Sequence, residues 1–163
     1  MSGIKFDPAS EPLCTDFKKE ETKGKKKEER LLARFFCIEQ KKKIVWIKDA
    51  DIKYSEPDCF KKFQKYLLDT RICYALLNVS YDIASGNRES LAAVYWSGEG
   101  SCSENMIYSS TFDVFKNKSA GKDKFELHDK DDIELSSFIE SYTDKAKEPL
   151  LSFCNIPLTQ STE

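Results

Sequence analysis

Two stretches of the chain, ICYALLNVSYD at 72–82 and SLAAVYW at 90–96, are apolar at odd and even positions alike. Successive side chains of an extended strand point to opposite faces, so a strand without a polar face has to be covered on both sides. In the first stretch Cys73, Ala75, Leu77 and Val79 share one face, and Ile72, Tyr74 and Leu76 the other. The link IASGNRES holds Ser85, Gly86 and Asn87, a turn signal that suits an antiparallel hairpin. The expected fold is therefore α+β, with three layers and a central sheet between helices.

The remaining segments supply further strands and the cover. Ser10 followed by Glu11 and Pro12 reads as the start of a helix over 10–21. The run KGKKKEER, 23–30, is an exposed connection, and LARFFCIEQKKKIVWIKD gives two short strands joined by a turn at 40–42. From Pro57 onward, Phe60, Phe63, Tyr66 and Leu67 recur at helical spacing, with Lys61, Lys62 and Lys65 outside. A short strand is expected over 124–128, a helix over 131–142 and an edge strand within EPLLSFCNIPL. At 163 residues the whole chain, 1–163, fits a single domain with a flexible arm at 1–8 and a frayed tail at 155–163.

Catalytic chemistry is poorly provided for. His128 is the only histidine, and no glycine-rich phosphate loop, G-x-S-x-G or H-E-x-x-H occurs, so an enzyme, a metal or a cofactor is not expected. DKDDIELSSFIE, 129–140, imitates a calcium loop, but Ile133 and Glu134 stand at its fifth and sixth positions, where a ligand and a turn-forming glycine belong. Asp131 or Asp132 capping a helix accounts better for the acids. Basic and acidic residues number 26 and 28, a formal charge of -2, without the global excess of a nucleic-acid binder. The six cysteines, at 14, 37, 59, 73, 102 and 154, form no C-x-x-C and read as reduced thiols. The N-terminal MSGIKFDPASEP has no signal-like apolar region, and no run approaches the ~18 apolar residues of a membrane span. A soluble intracellular protein is expected, its sequons at Asn78 and Asn117 unused.

The segment SENMIYSS, 103–110, raises a question of geometry. On a helix over 101–118, Ile107, Tyr108, Thr111, Val114 and Phe115 form the stripe that docks on the sheet. Met106 then projects from the opposite side, among Cys102, Ser109, Ser110 and Asp113. A flexible, polarizable apolar side chain in a field of small polar residues suits an adaptable contact surface. Single exposed methionines are also ordinary.

Taken in order, the N-terminal SG with its aliphatic neighbour, the basic run before RFFCI, then CYALLNVSYD, and LAAVYW leading through a short loop into MIYSS, resemble the actin-depolymerising factor/cofilin family. The resemblance covers about 2–142. It implies a mixed sheet of five or six strands between helices. It also implies a monomeric, cytoskeleton-associated protein that binds actin monomers and filaments. Such proteins wedge the long helix and N-terminal arm into the cleft between actin subdomains, and they sever and depolymerise filaments. By position it implies actin contacts at Ser2, Gly3 and Ile4 and at Ser103, Asn105, Met106, Ser110, Lys116 and Lys118, with a filament contact at Arg88. Ser2 corresponds to a regulatory phosphorylation site, where added negative charge opposes docking on an acidic surface. Lys23, Lys25, Lys26 and Lys27 correspond to a basic insert that vertebrate relatives use for nuclear localisation; such a run reads equally as a solvated loop.

The chain also departs from the family pattern. Relatives carry two basic residues just before the helix methionine, where this chain has Ser103 and Asn105 around Glu104. Asn117 interrupts the basic run of Lys116 and Lys118, which weakens a phosphoinositide patch. Arg88 alone remains of the basic hairpin loop, and Cys73 stands where arginine is common. At ~0.5 to 1 kcal/mol per exposed contact, such losses add up to more than tenfold in affinity. A divergent member is expected. The alternatives are a relative resembling glia maturation factor, which binds the branch complex of actin-related proteins, and a module that has lost actin.

Overall fold

The computed structural model describes residues 3–21, 25–98 and 102–158, without the side chains of Cys102 and Ser103. In chain order the elements begin with β1 (Lys5–Phe6), α1 (Glu11–Thr15), α2 (Phe17–Glu20), β2 (Leu31–Glu39), β3 (Lys43–Trp46), β4 (Ile52–Lys53) and α3 (Cys59–Asp69). There follow β5 (Ile72–Ile83), β6 (Gly86–Ser97), α4 (Cys102–Ser119), β7 (Asp123–Leu127), α5 (Leu135–Ala146), β8 (Ser152–Phe153) and β9 (Ile156–Pro157). Short 3-10 turns at Lys27–Glu29 and Lys130–Ile133 precede β2 and α5. No helix among the described residues is long and apolar enough to cross a membrane.

One mixed sheet runs in the order β1-β3-β2-β5-β6-β7. Its outer pairs, β1 with β3 and β6 with β7, are parallel, and the inner ones antiparallel. The short strands β4, β8 and β9 join at its margins. At the centre, β5 and β6 pair without interruption from Ile72 opposite Ser97 to Ile83 opposite Gly86. The turn closes on Ala84 and Ser85, one position earlier than the sequence signal suggests, with Gly86 at φ 137. Asn87 then stitches the strand ends, its amide donating to the Asp82 carboxylate at 2.8 Å.

The alternation of β5 divides the core as its sequence dictates. Cys73, Ala75, Leu77 and Val79 join Phe60, Phe63 and Leu67 of α3 and Phe138 and Tyr142 of α5. Tyr74 and Leu76 join Tyr108, Phe112 and Phe115 of α4, with Cys14 and Phe17 of the N-terminal helices. Arg34 of β2 is drawn into this second layer. Its guanidinium lies between the rings of Phe17 and Trp46, donates to the Leu13 carbonyl at 3.1 Å and pairs with Asp51 at 2.8 Å.

Several expectations are corrected by packing. The helix over 10–21 is two short helices broken at Asp16, and the break lets both Cys14 and Phe17 reach the core. The Ser10 hydroxyl does not cap; it accepts the Trp46 N–H at 2.9 Å and so pins the helix start to β3. Of the arm expected to be flexible over 1–8, Lys5 and Phe6 form β1 against Lys43 and Ile44, with Ile4 and Phe6 buried beneath α4, and residues 1 and 2 lie outside the described residues. Of the tail expected to fray over 155–163, Ile156–Pro157 turns back as β9 on β8 and the Leu158 N–H bonds to the Leu151 carbonyl at 2.9 Å, while 159–163 lie outside the described residues. The helix expected over 131–142 begins later, after a turn in which Asp132 accepts the His128 and Asp129 N–H groups at 2.8 and 3.1 Å. Asp132 is thus the capping acid of the calcium-like segment.

Truncation of the ring at the centre of the α4 layer, Phe115→Ala, is expected to cost about 3 to 5 kcal/mol in urea unfolding. Phe115 is fully buried among Phe36, Tyr74 and Phe6, at centroid separations of 5.2, 4.8 and 6.3 Å. A second outcome concerns the thiols. Burial pushes Cys14 and Cys154 up to about 12, which leaves roughly one thiolate in ten thousand at pH 8. Peptide mapping after iodoacetamide treatment of the folded protein is expected to find both unmodified, and both alkylated once the chain is unfolded.

Candidate functional site

The long helix α4 is fixed from below by phenols. The Tyr74 hydroxyl, rising from β5, donates to the Tyr108 carbonyl, and the Tyr95 hydroxyl, from β6, donates to the Asn105 side-chain oxygen. The Tyr108 hydroxyl in turn accepts the Ile38 N–H at the end of β2, at 2.8 Å. Burial raises the Tyr74 and Tyr108 phenols above their ordinary range, so they serve as neutral hydrogen-bonding groups. At its far end α4 stops at Ser119, whose hydroxyl donates to the Lys116 carbonyl at 2.7 Å and accepts the Gly121 N–H at 3.1 Å.

These bonds set the rotation of the helix. Its buried face is Tyr108, Thr111, Phe112, Phe115 and Ser119. One assignment of the sequence stripe changes: Phe112, only 2% exposed, takes the place of Val114, which is 37% exposed, while Ile107 is half-buried and packs against the same layer. Met106 points away from the sheet and is 73% exposed, the largest value among the exposed large hydrophobic side chains described. Ser109, Ser110, Asp113 and Asn117 surround it on the same open face, with the Ser110 hydroxyl folded back onto the Ile107 carbonyl at 3.1 Å. Cys102 and Ser103, also assigned to this surface, lie outside the described side chains.

The other expected contact residues are distributed unevenly. Gly3 is exposed at the mouth of the arm, while Ile4 is 6% exposed and packs into the α4 layer, so its side chain belongs to the core rather than to a contact surface. Ser2 lies outside the described residues. Asn105 is committed inward by its bond to Tyr95. Lys118 is tied to Glu11 at 2.9 Å, and Lys116 is half-buried. Arg88 is exposed on β6 opposite Tyr81, at the far end of the sheet from Met106. Of the basic run, Lys25 pairs with Glu21 at 2.9 Å and Lys27 sits over the Tyr54 ring at 5.9 Å. Lys26 is exposed, and Lys23 lies outside the described residues. The described part of the run is therefore strapped to the domain.

Two features beside Met106 had no sequence signal. Arg71, at the start of β5, pairs with Glu104 in the first turn of α4. Next to that pair opens a cleft of about 910 Å³, lined by Leu68, Arg71, Trp96, His128 and Lys130. Both are assembled from segments distant in sequence, and no spacing rule could have found them. Among the described residues no group of three or more His, Cys, Asp or Glu is placed to hold a metal ion.

Residues 15–143 match the family model of the cofilin/tropomyosin-type actin-binding protein. The chain belongs to that family. Solved cofilin-type structures share its fold at low identity. Actin depolymerization factor 2 of Plasmodium berghei is 19% identical with a TM-score of 0.67, over 86% of this chain and 99% of that one. Streptomyces griseoflavus cofilin is 18% identical with a TM-score of 0.65, over 85% and 98%. Glia maturation factor from Caenorhabditis elegans is 14% identical with a TM-score of 0.58, over 85% and 94%. The mixed sheet and flanking helices expected of the cofilin family are thus present in full.

Because the Met106 side chain touches little of its own domain, Met106→Ala is expected to leave unfolding free energy within about 0.5 kcal/mol of wild type. Asn105→Ala, which removes the side-chain acceptor of the Tyr95 hydroxyl and leaves it the Asn105 backbone carbonyl at 3.2 Å, is expected to cost about 1 kcal/mol. Denaturant titrations of the two variants side by side check both.

Proposed function

We propose that this cofilin-family protein binds actin, as monomer, filament or both, through the open face of α4, and that it promotes filament severing and depolymerisation without catalytic chemistry. The observation that carries the reading is the 73% exposed Met106, standing on a helix whose opposite face is anchored to the sheet. A thioether that reorients freely on a rigid base can fill an irregular apolar cleft at little cost to its own fold. Burying it contributes about 1.5 to 3 kcal/mol, which is tenfold or more in affinity. Severing, on this reading, follows from binding one filament twist better than another.

The protein acts as a monomer beside the cytoskeleton, with entry to the nucleus through the Lys23–Lys27 run and a weak phosphoinositide contact at Lys116 and Lys118 as secondary features. Phosphorylation of Ser2 switches binding off by adding close to two negative charges at the arm. Ser103 and Gly3 contribute rim contacts, and Arg88 a filament contact at the far end of the sheet. A second reading, closer to glia maturation factor, is favoured by one observation: the first turn of α4 carries no basic residue, and Glu104 there is engaged with Arg71.

Co-sedimentation with actin filaments and a fluorescence assay with labelled monomers discriminate these readings. Wild type is expected to bind in at least one assay and Met106→Ala about tenfold more weakly. Binding to branch junctions alone, with neither actin form retained, would establish the second reading instead. Ser2→Glu is expected to bind more weakly than wild type; equal binding would remove the phosphorylation switch. Shortening of single filaments under the microscope reports severing directly.

A further inference from the structure

The positive charge missing from the first turn of α4 has a substitute beside it. The end of β2 is joined to α4 by the bond from the Ile38 N–H to the Tyr108 hydroxyl, two residues past Met106. Beyond Ile38 the chain continues into the tip of the β2–β3 hairpin, Gln40 to Lys42, all exposed. β2 ends at Glu39 and the chain then turns, so Lys41 lies no more than roughly 10 Å beyond Ile38. The rise from Tyr108 back to Met106 is only about 3 Å along the helix. Tip and methionine therefore stand at the same end of the sheet. A standard protein interface covers about 800 Å² per partner, a patch roughly 30 Å across, which is wide enough to hold both.

The tip is built to present cations. Gln40 and Lys41 take left-handed backbone angles, φ 54 and 55, at positions where glycine or asparagine is the easy choice. The turn is held by the Lys42 N–H on the Glu39 carbonyl at 2.9 Å and from outside by the Lys5 N–H on the Lys42 carbonyl at 3.4 Å. Of the acids nearby, Asp7 faces Lys43 at 3.7 Å, and Glu39 lies exposed at the base of the turn in no ion pair described. Among the described residues no carboxylate pairs with Lys5, Lys41 or Lys42, and all three are exposed. Two fixed like charges without internal counter-ions are costly to the isolated domain and favourable against an acidic partner.

We propose that the hairpin tip, through Lys41 and Lys42, is a second element of the actin-docking surface, supplying at the Met106 end the positive charge that the first turn of the helix lacks. This rests on the actin-binding reading. The partner surface is acidic protein, and the contribution is electrostatic: it speeds encounter and weakens with salt.

The test pairs two variants of the full chain against labelled actin monomers and filaments. Lys41→Asn with Lys42→Gln keeps a residue that tolerates the left-handed turn, so the fold is not at stake; a thermal melt checks this. Lys48→Gln with Lys61→Gln, two exposed lysines elsewhere on the domain, removes the same net charge as a control. The tip variant is expected to bind about fivefold or more weakly than wild type at about 50 mM salt, with the gap closing by about 300 mM, while the control follows wild type. If Met106→Ala weakens binding but the tip variant matches wild type, or merely matches the control, the tip is not part of the surface and the actin reading stands. If wild type binds neither actin form, the actin reading fails and the tip proposal falls with it.

Discussion

A pair of twelve-residue strands, β5 buried on both faces over nearly its whole length and β6 from Leu91 to Ser97, is the constraint from which the rest of this molecule follows. Such strands cannot face water, so helices must lie above and below them, and each helix has to turn an apolar stripe inward. On one side α3 and α5 meet the Cys73, Ala75, Leu77 and Val79 face; on the other α4 meets Tyr74 and Leu76. What α4 offers to a partner is therefore decided from beneath. Tyr74 and Tyr95 are phenol props, and once their hydroxyls bond to the Tyr108 carbonyl and the Asn105 side chain the rotation of the helix is set.

That anchoring separates two kinds of residue on one helix. Phe112 and Phe115 stack with Tyr74 at centroid distances of 5.6 and 4.8 Å and have no freedom to answer a ligand. Met106, on the opposite side, retains its rotamers. On the actin-binding reading this division is useful, because the rigid face holds the adaptable one in place and limits the ordering cost on association. The charges obey the same economy. Several cations that read as free in the sequence are spent inside the domain, Lys118 on Glu11 and Lys25 on Glu21 among them. Lys41 and Lys42 of the hairpin tip, by contrast, are exposed and enter no ion pair described.

How much was legible in advance can be stated residue by residue. The two faces of β5 were read correctly because a period of two leaves no ambiguity in a long strand. The inward stripe of α4 was read with one error. Phe112 and Val114 flank the centre of the stripe on opposite sides, and sequence spacing gives them nearly equal claims to burial. The aromatic floor of Tyr74 and Tyr95 takes Phe112, and Val114 is left outside. Ile4 was misplaced for a similar reason: a two-residue strand has no periodic signal, and its pairing with Lys43 and Ile44 is non-local.

The amino-acid sequence alone determined the layered α+β architecture, the outward course of Met106 and the membership of the cofilin family, because these depend on local periodicity and motif order. Tertiary structure alone decided that Arg71 meets Glu104, and that Ile38 is bonded to Tyr108, which puts the Lys41–Lys42 tip at the same end of the sheet as the methionine. Those contacts join residues 33 and 70 positions apart. Their geometry comes from how strands and helices stack, which no local pattern encodes.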